Sequence, residues 1–214
     1  MSIFKIILNL FYPRRCPLCK MWLSVLSEIP LCKDCLGKLE FKSYEDDVGR
    51  IKLYSCSKYE GEIRELIHEF KYEKDIELGK FLAKIFVSKI DLEKLKNFDL
   101  VVPIPLHKNK LEERGFNQSE IFASFISKKL NLRMKRILIK KFETLPQAEL
   151  KKEDRLKNVK GVFEVRKKLN GENIILVDDV YTTGATLKEA FKILKSNGAG
   201  RIVFVTFSRP STFY

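Results

Sequence analysis

A chain of 214 residues with 45% hydrophobic content is long enough for one α/β core and an appendage. Its 41 lysines and arginines against 28 aspartates and glutamates leave a net charge of +13, which favours phosphorylated small molecules or nucleic acid as partners without choosing between them. No apolar run approaches the roughly 18 residues that a membrane span needs, and the first segment has no signal-peptide cleavage site, so the expected protein is cytoplasmic without stable membrane insertion.

In chain order, Phe4, Ile7, Leu8 and Phe11 are spaced as the apolar stripe of an amphipathic helix, read as packing on the chain's own body in preference to membrane contact. Cys16-Pro17-Leu18-Cys19 and Cys32-Lys33-Asp34-Cys35 follow as two CxxC pairs. Each pair can present two thiolates to one tetrahedral ion, and Cys16, Cys19, Cys32 and Cys35 together close the shell with no open position for catalysis. The expectation is structural Zn(II), which supplies folding energy that so short a segment cannot gain from its own core. Two roles remain open for this finger: a staple alone, or a staple that also touches nucleic acid through Arg14, Arg15, Lys20 and Lys33. Cys56, in an apolar–polar alternation, reads as a core residue.

Residues 40–50 read as an acidic linker. A strand is expected from Ile51 to Tyr59. Gly61 then opens a helix with Ile63, Leu66, Ile67 and Phe70 on one face, ended by Lys71-Tyr72. A second helix carries Leu78, Phe81, Leu82, Ile85 and Phe86, and His68 reads as a surface or packing residue. Leu100-Val101-Val102 begins the main sheet, and Pro103 and Pro105 end that strand because neither can donate to a ladder. A basic turn with His107, Lys108, Lys110 and Arg114 precedes a helix started by Asn117 with Glu120 three residues on. Strands are expected near 99–104, 134–140, 173–178 and 201–207 with helices between, a doubly wound α/β domain. Between Lys140 and Asn170 the periodicity fades, leaving a long basic loop or a basic hairpin.

Ile174-Ile175-Leu176-Val177 reads as a strand covered on both faces, with Asp178 and Asp179 at its carboxyl end and a helix beyond Gly184. Gly184 allows a tight turn that aims helix-entry amides at one anion, and Thr182, Thr183 and Thr186 add hydroxyl donors. Asp178 and Asp179, as pure acceptors, suit sugar hydroxyls or a divalent cation. A phosphate at one end and a diol at the other, as in a 5-phosphorylated ribose, satisfies both halves. The Gly-Lys-Ser/Thr ending of a Walker A loop is missing. Thr186 with Glu189 also reads as a capping box.

Val177-Asp178-Asp179-Val180-Tyr181-Thr182-Thr183-Gly184-Ala185-Thr186 resembles the phosphoribosyl pyrophosphate (PRPP) signature of type I phosphoribosyltransferases. The resemblance implies that Asp178, Asp179, Val180, Tyr181, Thr182, Thr183, Gly184, Ala185 and Thr186 bind PRPP, that Leu106, His107 and Lys108 form a pyrophosphate loop, and that Mg(II) accompanies PRPP. It also implies that a loop between Lys140 and Asn170 closes over the pyrophosphate, with Thr144-Leu145-Pro146-Gln147, Arg155 and Asn158 as its distinctive residues.

The four-cysteine finger, Val102-Pro103-Ile104-Pro105-Leu106-His107, Arg114-Gly115-Phe116-Asn117-Gln118, Arg155 with Asn158 and Gly161, and the PRPP loop, in that order, resemble the ComF family of competence-associated proteins over nearly the whole chain. One departure is Leu145, where the family usually has a proline. The implied organisation is an N-terminal helix and zinc finger over 1–40 and a type I phosphoribosyltransferase-like domain over 51–214, with 51–95 as a hood. The implied role is handling or transport of single-stranded DNA during natural transformation, alongside a DNA-translocating helicase at the inner face of the membrane. Lys108, Lys110, Arg114, Lys151, Lys152 and Arg155 are the candidate phosphate contacts. The rival readings are an active phosphoribosyltransferase with an unknown acceptor and a PRPP-sensing regulator.

Overall fold

The computed structural model describes residue 7, residues 9–143 and residues 161–213. One sheet holds β1 (Tyr44–Val48), β2 (Ile51–Lys58), β3 (Leu100–Pro103), β4 (Arg133–Met134), β7 (Ile174–Val180) and β8 (Ile202–Arg209), in the order β1-β2-β8-β7-β3-β4. Every neighbouring pair runs parallel except the β1–β2 hairpin. A separate antiparallel pair joins β5 (Leu138–Lys140) and β6 (Phe163–Val165). The helices are α1 (Lys33–Lys38), α2 (Gly61–Tyr72), α3 (Ile76–Lys89), α4 (Lys108–Arg114), α5 (Gln118–Leu130) and α6 (Ala185–Ser196).

The aliphatic run of β7 sends alternate residues to opposite faces, so each face needs its own helical cover. Ile175 and Val177 pack with Phe70 of α2, Phe86 of α3 and Phe122 of α5, while Ile174 and Leu176 pack with Leu187, Ala190 and Leu194 of α6. Phe122 stacks on Phe207 at 5.3 Å and meets Phe86 edge-on at 5.4 Å, arrangements that add about 1 kcal/mol each beyond burial. Cys16, Leu23, Leu31 and Cys35 belong to the same core as these rings, and Cys56 is fully buried there. The strand order brings the carboxyl ends of β2, β8, β7 and β3 to one edge, where an open α/β sheet holds its ligands.

Three local expectations are revised. The acidic stretch read as linker contains β1, because its carboxylates are paired: Glu45 with Lys52 and Lys94, Asp47 with Lys52, and Asp46 with Arg209. The strand expected over 134–140 is two. Only Arg133–Met134 lies beside β3; Leu138–Lys140 turns away to pair with β6, which seats Ile137 and Leu138 against Val162 and Phe163. The capping box of Thr186 with Glu189 does not form, since α6 starts after Gly184 and Glu189 Oε1 instead accepts from the Gly161 amide at 2.7 Å. Asn117 does cap α5 through the Ser119 amide at 3.0 Å, but Glu120 turns to Arg136 rather than reaching back. No described helix is long and apolar enough to cross a membrane.

Candidate functional site

The cysteines of the two CxxC pairs converge. Their sulfurs all lie within 4.8 Å of one another, and Cys19 Sγ stands 3.6 Å from Cys32 Sγ. Four thiolates around one Zn(II) at tetrahedral Zn–S distances stand about 3.8 Å apart, so the set fits such an ion. Cys32 Sγ accepts from the Cys35 amide at 3.4 Å, which fixes one pair at the start of α1. Burial raises Cys16, but amides of Cys32, Cys19 and Leu18 outweigh it and bring that thiol down to about 7, whereas burial and the neighbouring cysteines push Cys35 up to about 12. The turn after Cys19 places Lys20 in the left-handed region, and Lys20 Nζ reaches Glu69 of α2 at 2.6 Å.

At the sheet's carboxyl edge, Asp178 and Asp179 end the buried part of β7. Asp179 is buried, and its Oδ2 is paired with Lys71 Nζ of α2 at 2.6 Å. Asp178 Oδ1 accepts from Ser119 Oγ of α5 at 2.8 Å and from the Asp179 amide at 2.9 Å. Burial, then the neighbouring Asp179 charge, push the Asp178 carboxyl up to about 7, with Ser119 and Lys71 pulling the other way. For Lys71, burial lowers the ammonium, yet the Asp179 charge prevails and holds it above its ordinary value. Lys140 of β5 completes the surroundings: burial, the Lys110 charge and the Arg114 charge bring it down to about 8, while Asp178 opposes them.

The Arg-Gly-Phe-Asn-Gln run links α4 to α5 and joins this site to the core. Gly115 ends α4 in the left-handed region at φ 78°, a conformation that costs a side-chain-bearing residue about 1–2 kcal/mol. Phe116 stacks on Phe70 at 5.3 Å. Asn117 Nδ2 donates to the Ile104 carbonyl at 2.9 Å, which anchors the turn after β3. Arg114 lies over the Tyr72 ring and donates to Gln118 Oε1 at 3.3 Å. Among the described residues, Arg114 Nε and Gln118 Nε2 are buried donors without a hydrogen-bond partner, the kind of atom an anionic or hydroxylated ligand satisfies.

The turn into α6 is built around Tyr181 and Gly184. Gly184 sits at φ 71°, and a Cβ there would come within 2.2 Å of the buried Tyr181 hydroxyl. Thr183 Oγ1 accepts from the Ala185 amide at 3.4 Å. The amino end of α6, which begins at Ala185, follows the Asp178–Asp179 end of β7 and so lies on the same edge.

Of the residues expected around the pyrophosphate, Leu106 and His107 are part-buried and Lys108 is exposed; His107 caps α4 by accepting from the Asn109 amide at 3.4 Å. Lys108 pairs with Glu112 on the exposed face of α4, whereas Lys110 and Arg114 face the Lys140–Asp178 group electrostatically. Lys151, Lys152 and Arg155, with Thr144-Leu145-Pro146-Gln147 and Asn158, lie outside the described residues, as do Phe4 and Leu8. Of the finger cations, Arg14 donates to the Ser27 carbonyl and Arg15 lies over Trp22 at 4.1 Å, contacts internal to the finger. Lys71, Ser119 and Lys140 are site residues that pattern alone passed over. Ser119 follows directly on the Arg-Gly-Phe-Asn-Gln run, which is a usable signal; Lys71 looked like an ordinary basic residue closing a helix.

Comparison with known proteins agrees with this architecture. The Phosphoribosyl transferase domain family matches residues 117–212. Competence protein ComFC of Bacillus subtilis is 32% identical over 184 residues, covering 86% of this chain and 72% of that one. Competence protein F of Haemophilus influenzae is 26% identical, covering 86% of this chain and 87% of its own. DNA utilization protein YhgH of Escherichia coli O6:H1 is 27% identical, covering 71% of this chain and 69% of its own.

Proposed function

The chain belongs to the ComF family of competence proteins, with a type I phosphoribosyltransferase-like fold, and from that premise we propose that it binds PRPP at the Asp178–Thr186 loop and single-stranded DNA along its basic rim, handling DNA that enters the cytoplasm during natural transformation. The observation that carries the reading is the pairing of two kinds of recognition at one edge. Asp178 and Asp179 offer carboxylate acceptors held by Ser119 and Lys71, and the turn at Gly184 leads into the amino end of α6. A ribose diol and its 5-phosphate are complementary to these two halves. Leu106, His107 and Lys108 would flank the diphosphate, which carries Mg(II), and the buried donors of Arg114 and Gln118 stand on the same side.

For DNA, the net charge of +13 and the exposed Lys108 of α4 favour contacts to phosphates rather than bases. Lys151, Lys152 and Arg155 would extend that track, and a DNA-translocating helicase would deliver the strand. Zn(II) on Cys16, Cys19, Cys32 and Cys35 supplies rigidity, with residues 1–40 acting as a finger module against a domain of residues 51–214.

Calorimetric titration tests the ligand half of the proposal. Wild-type protein should bind PRPP with Mg(II), and D178N/D179N should lose that binding while keeping its circular dichroism spectrum; equal affinity in both would refute the sugar site. For DNA, affinity for an oligothymidine should fall linearly in log–log terms with salt. A flat response would remove the phosphate-tracking role. Pyrophosphate release across a nucleobase panel would reveal the transferase reading instead.

A further inference from the structure

Asp179 and Lys71 form a part-buried ion pair between the end of β7 and the end of α2, although nothing in the local sequence of either element calls for the other. Lys71 is held firmly. Phe70 on one side is fully buried and stacked on Phe116, and Tyr72 on the other carries the Arg114 guanidinium and the His68 ring. Glu69 is tied to Lys20 of the finger at 2.6 Å. The ammonium therefore stands at the acidic pair as a built-in group, with 21% of the side chain still open to solvent.

Two adjacent carboxylates without a counter-ion attract a divalent cation and oppose a phosphorylated ligand. With Lys71 in place, Asp179 has its countercharge and Asp178 has hydroxyl and amide donors from Ser119 and Asp179. Lys140 adds further positive charge beside Asp178. The carboxylates keep acceptor lone pairs for hydroxyl groups, yet the group as a whole no longer demands a metal.

We propose that Lys71 is the specificity-determining residue of this site, a resident counter-ion that stops Asp178 and Asp179 from taking a divalent cation themselves and fits them to the hydroxyls of an anionic sugar phosphate. The inference rests on the sugar-phosphate reading above, and it assigns any accompanying metal to the ligand's diphosphate, away from the aspartates. Lys71 acts by positioning and charge and takes no part in bond making.

The test uses the zinc-loaded full chain with Mn(II) alone, followed by electron paramagnetic resonance. Wild type should hold no more Mn(II) than D178N/D179N does. K71M should bind Mn(II) about tenfold more tightly or better, a gain abolished in K71M/D179N, and K71R should behave as wild type. Should K71M not fold, K71Q and the wild-type measurement carry the test. Aspartate-dependent Mn(II) binding by wild type, or no gain in the folded Lys71 variant, would overturn the proposal. A second arm titrates ribose 5-phosphate in metal-free buffer, where removing the cation should weaken binding about tenfold and K71R should restore it. Absence of ribose 5-phosphate binding in every protein, wild type included, would defeat the sugar reading, while the Mn(II) arm would still decide what Lys71 does.

Discussion

The cysteine cluster and the acidic pair are both polar groups set against one hydrophobic core, but they are assembled in opposite ways. The four sulfurs come from two turns of one short segment, and as four thiolates they would need an external ion to balance their charge. The acidic pair is balanced by the protein itself, with Lys71 from α2 and Ser119 from α5 brought to β7 by the strand order, and Lys140 supplied by the separate β5–β6 pair. The first centre depends on local spacing and the second on topology. Metal should therefore control the stability of the finger side, whereas single substitutions should control the chemistry of the sheet edge.

The largest expected effect breaks the first half of that comparison. Cys16 and Cys35 are buried in the same core as Phe70 and Phe122, so stripping the metal, or C16S, should lower Tm by on the order of 10 °C, corresponding to about 3–5 kcal/mol. Differential scanning calorimetry with and without chelator measures this, and an unchanged Tm would mean that the cysteines hold nothing.

Next is G184A. The new Cβ must occupy a left-handed position and collides with Tyr181, so a loss of about 2–4 kcal/mol in urea unfolding is expected. The double variant G184A/Y181A should recover the collision but not the backbone strain. Full recovery would show that φ at this turn carries no cost.

A graded effect concerns pH. The folded-state pKa of Asp178 lies above that of an unfolded aspartate, so its contribution to stability is complete below about pH 4 and is lost as pH rises through about 7. D178N should flatten that part of the stability profile. In the same interval the ionising carboxylate becomes a better acceptor, so sugar-phosphate affinity should rise from pH 6 to pH 8 in wild type more than in D178N. Parallel profiles would mean that the proton at this position is irrelevant to both.

The smallest effect is K20A. Lys20 is 56% exposed, and surface ion pairs are worth at most about 1 kcal/mol, so the variant should stay within that range of wild type. A much larger loss would reveal that the finger and α2 are mechanically coupled through Glu69.

How much was legible follows the same division. The CxxC pairs, the β7 run and the apolar stripes of α2, α3 and α5 depend on neighbours within a few residues, and each was readable as spacing. The strand at Tyr44–Val48 was not readable, because its acids are tolerated only through Lys52, Lys94 and Arg209, one of which lies at the far end of the chain. The split between β4 and β5 was hidden for the same reason: β5 is defined by its pairing with β6 across the long basic stretch. At the site, Asp178, Asp179 and Gly184 were evident from their residue types. Lys71 and Ser119 gained meaning only once parallel pairing of β2, β8, β7 and β3 had brought α2 and α5 to one edge.

One loop and two carboxylates are proposed to recognise a phosphorylated ribose. The most direct test of this recognition is a crystal structure of the zinc-loaded protein with PRPP and Mg(II). The 5-phosphate should lie against the amides of Thr182 to Thr186, the ribose hydroxyls on Asp178 and Asp179, and Mg(II) on the diphosphate with Lys71 still beside Asp179. A ligand bound away from the Gly184 turn, or a metal seated directly between the two aspartates, would contradict it.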